Sequence, residues 1–324
     1  MARKPKLPET MRAIALDSFG GPEVLKLRTL PVPSVGAFDV LIAVHTAGVG
    51  SWDPDLRGGW SANGKTRFPL VLGSDGSGTI AAVGARVSDF KIGERVYAYS
   101  FDNPKGGFYA EYVAVPASKV ARIPKPLDLE HAGAVPATGL TALQGIDDAL
   151  ELDRGDRVVI HGASGGVGTL AVQFAKLRGA RVLASASGKD GVALVRRLGA
   201  NAAVDGQRAD LAAAAGEFAP DGVNAIFAVA GGKPLNHCLE TLRADGRIAY
   251  PNGVEPEPKR RKGVKTVAYD AAVGVNEFER LNRAVTAVKL KVPIAVAYPL
   301  ADAAKAHQRL ERGHVLGRVV LRVR

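Results

Sequence analysis

Glycine residues cluster between the apolar run 157–160 and a stretch of helical periodicity at 169–177. Glycine permits a tight turn with positive φ, and it lets a phosphate approach the backbone where a Cβ would block it. The helix that follows would offer unpaired N–H groups and the positive end of its dipole. The pattern predicts a pyrophosphate-binding turn, and a tight turn that binds nothing is the alternative. The residues of this turn are Gly162, Ala163, Ser164, Gly165, Gly166, Val167 and Gly168.

The residues after the next apolar run indicate which dinucleotide the turn would hold. The run 181–184 is followed by Ser185, Ser187 and Lys189, and no acidic residue occurs there before Asp190. NAD-selective sites usually place an acidic residue at this point, to bind the ribose 2′-hydroxyl. Two hydroxyl groups and an ammonium group favour a 2′-phosphate, which a carboxylate would repel. We therefore predict NADP(H) as the cofactor, and a solvated loop lysine is the alternative for Lys189.

The length and composition suit a soluble protein of two domains. The chain has 324 residues, of which 47% are hydrophobic and 23% are charged, and these fractions are typical of globular proteins. No apolar run approaches the ~20 residues of a membrane span, and the basic segment 1–10 lacks the apolar core of a secretory signal. Cys238 is the only cysteine. No intramolecular disulfide can form, and a reducing, cytoplasmic setting is expected.

The chain is basic, with 43 Lys and Arg residues against 32 Asp and Glu residues and a net charge of +11. The densest basic cluster is 259–262, directly after the proline-containing stretch 255–258. No aromatic residue is interleaved there to stack on nucleic-acid bases. We therefore interpret this basic cluster as a solvated loop, and we expect neither a membrane nor a nucleic-acid partner.

The pattern of the chain changes near residues 130 and 270. Residues 11–130 contain short β-branched runs broken by Gly and Pro, which predicts strands. Residues 131–270 alternate between strand-like and helix-like segments, which predicts βαβ units and a parallel sheet. The final fifty residues contain helical patterns and one strand pattern. These patterns predict helices over about 277–289 and 302–312 and a strand over 317–322.

The segment 163–176 resembles the zinc-independent quinone oxidoreductase branch (zeta-crystallin-like) of the medium-chain dehydrogenase/reductase superfamily. Further motifs of this branch occur at 20–25, 73–78, 91–96, 140–142 and 317–321. The resemblance implies an α/β fold, with a Rossmann doubly wound parallel sheet inserted in a GroES-like β-barrel domain. The implied division is a flexible tail 1–10, a GroES-like catalytic domain 11–130, a Rossmann NADP-binding domain 131–270, and a C-terminal segment 271–324 that returns to the catalytic domain.

The resemblance also implies the reaction class. The alcohol dehydrogenase branch carries Gly-His-Glu where this chain reads Gly73-Ser74-Asp75, and the lone cysteine lies elsewhere. No metal is therefore expected, and no Lewis acid would polarise an alcohol oxygen. The implied activity is hydride transfer from NADPH to a quinone or an α,β-unsaturated carbonyl. His45 is interpreted as a barrel residue and not as a metal ligand.

The substrate loop of the family aligns with residues 49–59, where this chain departs from the pattern. Relatives usually have Asn-Pro at the position of Gly50 and Ser51. This departure weakens the support that the resemblance gives to catalytic roles for Ser51 and Asp53. The alternatives are that Ser51 is a turn residue and that Asp53 caps a helix or lies in a turn. Trp52 and Trp60, the two tryptophans of the chain, would form an apolar wall for a flat acceptor, or they would simply pack.

The resemblance implies further cofactor contacts around the nicotinamide and its ribose. These positions are Thr141, Ala230, Gly231, Asn252 and Arg318. A family tyrosine that helps to hold the adenosine phosphate is replaced by Gly206, so Arg208 is a candidate to provide that contact instead.

Family members are commonly homodimers, and the segment 264–269 is the strand that would pair between subunits. The alternative function is a catalytically silent NADPH-binding protein with an RNA-binding or structural role. Its motives are the net charge of +11, the altered substrate loop, and the lens crystallins that the family includes.

Overall fold

The computed structural model describes residues 7–60, 66–101 and 103–324. Residues 1–6 of the predicted tail therefore lie outside the described residues. The strands are β1 (Thr10–Leu16), β2 (Lys26–Pro31), β3 (Asp39–Val49), β4 (Leu70–Val71), β5 (Asp75–Val83), β6 (Arg95–Tyr99), β7 (Tyr112–Pro116), β8 (Val120–Arg122), β9 (Arg157–His161), β10 (Arg181–Ala186), β11 (Ala202–Asp205), β12 (Val223–Ala228), β13 (Leu242–Pro251), β14 (Lys265–Tyr269), β15 (Ile294–Pro299) and β16 (Arg318–Arg322).

The helices lie mostly between the strands of the second half. They are α1 (Asp53–Gly58), α2 (Leu129–Gly133), α3 (Pro136–Gln144), α4 (Gly166–Leu177), α5 (Gly188–Arg197), α6 (Leu211–Phe218), α7 (Lys233–Cys238), α8 (Val275–Val288) and α9 (Ala303–Glu311). No helix of the described part is long and apolar enough to cross a membrane.

The first half folds into antiparallel β-structure that the C-terminal segment completes. A seven-stranded sheet has the order β15-β16-β3-β5-β6-β8, with β7 also paired to β3, and a smaller sheet has the order β2-β1-β4. The last strand, β16, pairs antiparallel with β3, so Val320 lies opposite Gly48. The two ends of the chain therefore build one β-domain around a common core.

The segment between them forms a six-stranded parallel sheet with the order β11-β10-β9-β12-β13-β14. Successive side chains of a strand point to opposite faces. Val158 and Ile160 accordingly join the core beneath α4, whereas Val159 joins a second core with α6 and α7. Helices therefore cover both faces of the sheet, and the predicted Rossmann fold inserted in a GroES-like domain is confirmed.

Most predicted boundaries of this region move by only a few residues. The helix expected at 169–177 begins at Gly166, because the end of the glycine turn already forms its first turn. Gly179 follows this helix with φ of +79°, the left-handed conformation that ends helices. The strand expected at 264–269 is β14, at the edge of the parallel sheet.

The two domains meet at the glycine turn. Gly165 forms an isolated parallel bridge with Gly317, and the Gly317 N–H donates to the Ser164 carbonyl oxygen at 2.8 Å. The residue that follows this contact is Arg318, the first residue of β16. The junction therefore places the end of the β-domain directly beside the start of α4.

Candidate active site

The glycine turn has the geometry of a phosphate cradle. Gly162 has φ of +81°, and the Gly165 N–H donates to the Gly162 carbonyl oxygen at 3.2 Å. A Cβ on Gly168 would lie 2.4 Å from that same oxygen, so close packing of α4 on β9 requires glycine there. At Gly165, in contrast, a Cβ would meet only the Gly162 oxygen, at 3.6 Å. The turn is therefore closed on its inner side and open at Gly165, where a phosphate could approach.

Of the three residues predicted to contact the 2′-phosphate, two are accessible and one is buried. Ser187 is half-buried at the N-cap of α5, and Lys189 is exposed in the first turn of that helix. Ser185 is 2% exposed, and its Oγ lies 3.2 Å from His161 Nδ1. The prediction that Ser185 contacts the phosphate is therefore wrong, because its side chain points into the protein. Arg208 is exposed and lies 3.9 Å from the Asp205 carboxylate.

Arg318 is the charged group nearest the glycine turn from the β-domain. Its Nη2 donates to Asp75 Oδ1 at 2.7 Å, and both side chains are almost completely buried. A Cβ on Gly166 would lie 3.4 Å from Arg318 Cδ, so the side chain passes directly by the start of α4. Two of its donors, Nε and Nη1, are buried without a hydrogen-bond partner among the described residues. Unpaired buried donors are costly, because they have lost their hydrogen bonds to water.

The tryptophan of the substrate loop is held on several sides. Trp52 Nε1 donates to Ser74 Oγ at 2.9 Å, and the Arg318 guanidinium carbon lies 5.6 Å from its ring centroid. A Cβ on Gly50 would lie 2.4 Å from Trp52 Cε2, so only glycine leaves room for the indole. The ring edge meets Phe101 at 6.2 Å between centroids. These contacts hold Trp52 in one defined position between Arg318 and Phe101.

Phe101 joins the two tryptophans into one aromatic wall. Its ring centroid lies 6.1 Å from that of Trp60, which is 55% exposed. The sequence pairs Trp52 and Trp60 by proximity in the chain, but it gives no signal for Phe101, which comes from a loop after β6. Ser51 is exposed beside this wall.

The predicted catalytic Asp53 is buried beneath the substrate loop. It is fully buried, and its Oδ2 accepts hydrogen bonds from Gly50 N–H and Tyr109 Oη, each at 2.8 Å. Its Oδ1 is buried without a partner among the described residues. Because no surface of Asp53 is open to a substrate, the expected catalytic role is corrected to a positioning role: Asp53 holds the Gly50 backbone.

A hydrogen-bond chain of fixed direction ends on this carboxyl group. Arg57 can only donate, so Nδ1 of His307, 3.1 Å from Arg57 Nη1, must accept. Burial and the neighbouring guanidinium lower the pKa of His307 to about 3, so the ring is neutral and its proton is on Nε2. This Nε2–H donates to Tyr109 Oη at 3.2 Å, and Tyr109 donates to Asp53. Arg57 also pairs with Glu311 at 2.6 Å, which ties the substrate loop to α9.

Asp53 makes the stability of the protein dependent on pH. Burial raises its pKa to about 7 from an ordinary value of 3.8, so the folded state keeps a proton that the unfolded state has released. Stability from this group is therefore complete below about pH 4 and is lost as the pH rises to about 7. Relative to Asp53→Asn, the wild-type unfolding free energy should fall by about 4 kcal/mol across that window.

Urea unfolding of both proteins at several pH values measures this difference. Asp55→Asn is the matched control, because Asp55 is an exposed residue of the same helix. Its unfolding free energy should follow that of the wild type at every pH. Parallel curves for wild type and Asp53→Asn would show that Asp53 does not titrate in this range.

The remaining predicted cofactor contacts lie around the carboxyl ends of the parallel strands. Thr141 is half-buried in α3, and its hydroxyl donates to the Ala137 carbonyl oxygen at 2.8 Å. Ala230 and Gly231 follow β12, and a Cβ on Gly231 would collide with the Pro256 carbonyl oxygen at 2.1 Å. Asn252 is exposed after β13 and donates to Asp270 at 2.9 Å. These residues therefore lie near the carboxyl ends of the parallel strands, where ligands of such folds bind.

This chain is similar to known proteins over nearly all of its length. Residues 36–125 match the model of the alcohol dehydrogenase GroES-like domain, and residues 166–269 match that of the zinc-binding dehydrogenases. A quinone oxidoreductase of Rattus norvegicus is 32% identical over 92% of this chain and 93% of its own length. The NADPH-dependent alkenal/one oxidoreductase of Arabidopsis thaliana chloroplasts is 30% identical over 97% of this chain and 80% of its length. A mycobacterial protein solved in complex with NADPH superposes with a TM-score of 0.85, at 30% identity over 97% of this chain and all of its own.

The chain belongs to the zeta-crystallin-like quinone oxidoreductase family. The resemblance carried by the glycine turn and the N-terminal motifs is thereby confirmed, and the protein is an oxidoreductase of the medium-chain dehydrogenase/reductase superfamily. The residues around this site that the sequence analysis missed are Phe101, Tyr109 and His307. Only the last two carry titratable groups, and neither is near the substrate loop in the chain.

The side chains of this site do not fit the zinc ion that the zinc-binding dehydrogenase family implies. Ser74 accepts the Trp52 indole N–H, and Asp75 is bonded to Arg318 and to the Ala137 N–H at 3.0 Å. Both residues are therefore occupied where the alcohol dehydrogenases carry their ligands. Among the described residues, no group of three His, Cys, Asp or Glu side chains is placed to hold a metal ion.

The basic cluster 259–262 is partly structural. Arg261 Nη1 donates to the carbonyl oxygens of Leu239 and Leu242, at 2.7 and 2.8 Å. Lys259, Arg260 and Lys262 are exposed, as predicted for a solvated loop. One of the four basic side chains therefore satisfies the end of a helical segment and does not face solvent as an anion-binding group.

Proposed function

We propose that this oxidoreductase transfers hydride from NADPH to a quinone or an α,β-unsaturated carbonyl compound. The observation that carries the proposal is the position of Arg318. Its unpaired buried donors lie between the start of α4 and the Trp52 ring. Arg318 is thereby adjacent to both the phosphate cradle and the aromatic wall. This adjacency supports a reaction between a dinucleotide and a flat acceptor.

The residues that would hold NADP(H) are those of the glycine turn, with Arg318, Ser187 and Lys189. NADPH supplies the hydride, which is the chemistry that no protein side chain provides. The N–H groups at the start of α4 would bind the pyrophosphate, because they are unpaired and lie at the positive end of the helix dipole. Three further residues near the carboxyl ends of the strands would position the nicotinamide half of the cofactor: Thr141, Gly231 and Asn252.

The acceptor would lie against the wall formed by Trp52, Phe101 and Trp60. Offset or edge contacts between aromatic rings stabilise such an arrangement by about 0.5–1.5 kcal/mol per pair beyond the burial of area. The exposed Ser51 hydroxyl is the polar group of the loop that can donate a hydrogen bond to the acceptor oxygen as negative charge develops there. Asp53 holds the loop in place from below.

We also propose that the chain divides at the predicted boundaries and works as a homodimer. β14 is an edge strand, and its outer hydrogen-bonding groups would pair with those of a second copy across a two-fold axis. The protein would act on small molecules in the cytoplasm.

The test is NADPH consumption with an ortho-quinone, a para-quinone and a medium-chain enone, each repeated with NADH. We expect turnover with at least one acceptor and a higher kcat/KM for NADPH than for NADH. Tight NADPH binding without turnover on any acceptor would contradict the proposed reaction and favour the catalytically silent alternative. Salt-sensitive binding of RNA in competition with NADPH would support that alternative directly.

A further inference from the structure

A histidine from the C-terminal segment reaches the end of β10. His314 lies in the loop between α9 and β16, and its Nδ1 is 2.9 Å from Ser187 Oγ. Its Nε2 is 3.0 Å from Asp190 Oδ2. The side chain thus bridges the two residues that flank the start of α5, although it is more than 120 residues away in the chain.

The backbone around His314 is held in an uncommon conformation. His314 has φ of +48°, in the left-handed region that residues with a Cβ seldom adopt. The Arg309 guanidinium donates to the carbonyl oxygens of Gly313 and His314, at 2.8 and 2.9 Å. Such strain persists where the surroundings fix it, and it is frequent at functional sites.

The opposite side of the contact is shaped to receive the ring. A Cβ on Gly188 would lie 3.0 Å from His314 Cε1 and 2.9 Å from Asp190 Oδ1. Gly188 itself has φ of +70°. Glycine therefore allows the imidazole to lie against the backbone between Ser187 and Lys189, the two residues predicted to contact the 2′-phosphate that remain accessible.

We propose that His314 binds the adenosine 2′-phosphate of NADP(H) together with Ser187 and Lys189, and that it sets the preference for NADP(H) over NAD(H). This inference rests on the function proposed above. It also provides a contact at the adenosine end that Gly206, in place of the family tyrosine, cannot make.

Charged groups of both signs surround the ring. They are three cations and two carboxylates: Lys189, Arg208, Arg309, Asp190 and Asp205. Arg309 keeps its charge, but its donors are engaged with backbone carbonyl oxygens. The His314 hydrogen bond lowers the pKa of Asp190, which therefore stays ionised. A protonated His314 would add one positive charge, and a donor, for a dianionic phosphate.

Protonation would also redirect the Ser187 hydroxyl. Since a carboxylate only accepts hydrogen bonds, Nε2 of His314 carries a proton and donates to Asp190. In the neutral ring Nδ1 then accepts the Ser187 O–H. In the protonated ring Nδ1–H donates to Ser187 Oγ, and the serine proton becomes free to donate to a phosphate oxygen. The protonated ring would therefore leave the Ser187 hydroxyl available to the phosphate.

Calorimetric binding of 2′,5′-ADP and 5′-AMP to the full-length protein tests this inference. In His314→Asn the ratio of the two dissociation constants should shift about tenfold against 2′,5′-ADP, which is the loss of one charge-assisted hydrogen bond. The affinity for 5′-AMP should not change. Asparagine is chosen because it tolerates the left-handed backbone.

His131→Asn is the matched control. His131 pairs with Asp128 at 2.9 Å, and the exposed fractions of 46% and 63% are close to the 44% and 61% of His314 and Asp190. This variant should retain the wild-type ratio.

Each other outcome overturns the inference. An unchanged ratio in His314→Asn would remove His314 from the phosphate site and leave the proposed use of NADPH intact. Equal loss of both ligands would show a structural role only. A wild type without preference for 2′,5′-ADP would overturn this inference and the preference for NADPH together.

Discussion

Replacement of Gly165 by aspartate should abolish NADPH binding without destabilising the fold. Gly165 is the N-cap of α4, has extended backbone angles (φ −80°, ψ −178°) and makes no side-chain cap. Aspartate is among the best N-cap residues, because its carboxylate accepts N–H groups of the first helical turn. The space around a Cβ here is open. The same carboxylate would fill the phosphate cradle and repel the pyrophosphate, so the dissociation constant should increase about 1,000-fold or more.

Fluorescence titration with NADPH and thermal unfolding of the same samples measure the two effects. Gly165→Asn has nearly the same size and caps the helix without a charge, so the difference between the variants isolates the electrostatic part. Gly168→Ala is expected to behave differently, since its Cβ would collide with the Gly162 carbonyl oxygen and lower stability as well as binding. Normal NADPH affinity in Gly165→Asp would show that the cofactor does not bind at this turn.

Removal of Asp75 should cause the largest loss of stability among single substitutions at this site. Asp75 pairs with Arg318 at 2.7 Å, both side chains are at most 5% exposed, and the second carboxylate oxygen accepts the Ala137 N–H. In Asp75→Ala the guanidinium stays buried with no counter-charge. Breaking a buried pair in this way costs about 3–5 kcal/mol, which urea unfolding would measure.

A double variant separates stability from cofactor binding. Asp75→Leu combined with Arg318→Met replaces the pair by apolar side chains, which is often close to neutral in stability. It should recover most of the lost unfolding free energy and yet bind NADPH poorly, because the Arg318 donors are gone. A loss below about 1 kcal/mol in Asp75→Ala would show that solvent reaches Arg318.

The sequence alone determined the Rossmann unit and its glycine turn. The strand, the turn and the helix follow one another within about thirty residues, so their pattern depends on local backbone preferences and periodicity. The same locality explains why the predicted α4 and β14 moved only slightly. The family motifs added the GroES-like domain and the quinone oxidoreductase class, because several short segments along the chain matched together.

The tertiary structure alone decided which side chains serve the site. Asp75 and Arg318 are 243 residues apart, and no local pattern reports that two such residues will be buried as a pair. Ser185 and Ser187 look equivalent in the sequence, but Ser185 belongs to a strand covered on both faces, and Ser187 lies beyond its end. In the sequence, Asp53 resembles a surface residue of a loop. In the structure it is fully buried and accepts a hydrogen bond from Tyr109, which His307 contacts in turn.

His314 shows the same limit most clearly. Its role depends on a left-handed turn in one domain that meets the start of a helix in the other. Periodicity describes which face of an element is buried, but it does not describe where two distant elements touch. Contacts between distant segments depend on the packing of the whole chain, and His314 lies at such a contact.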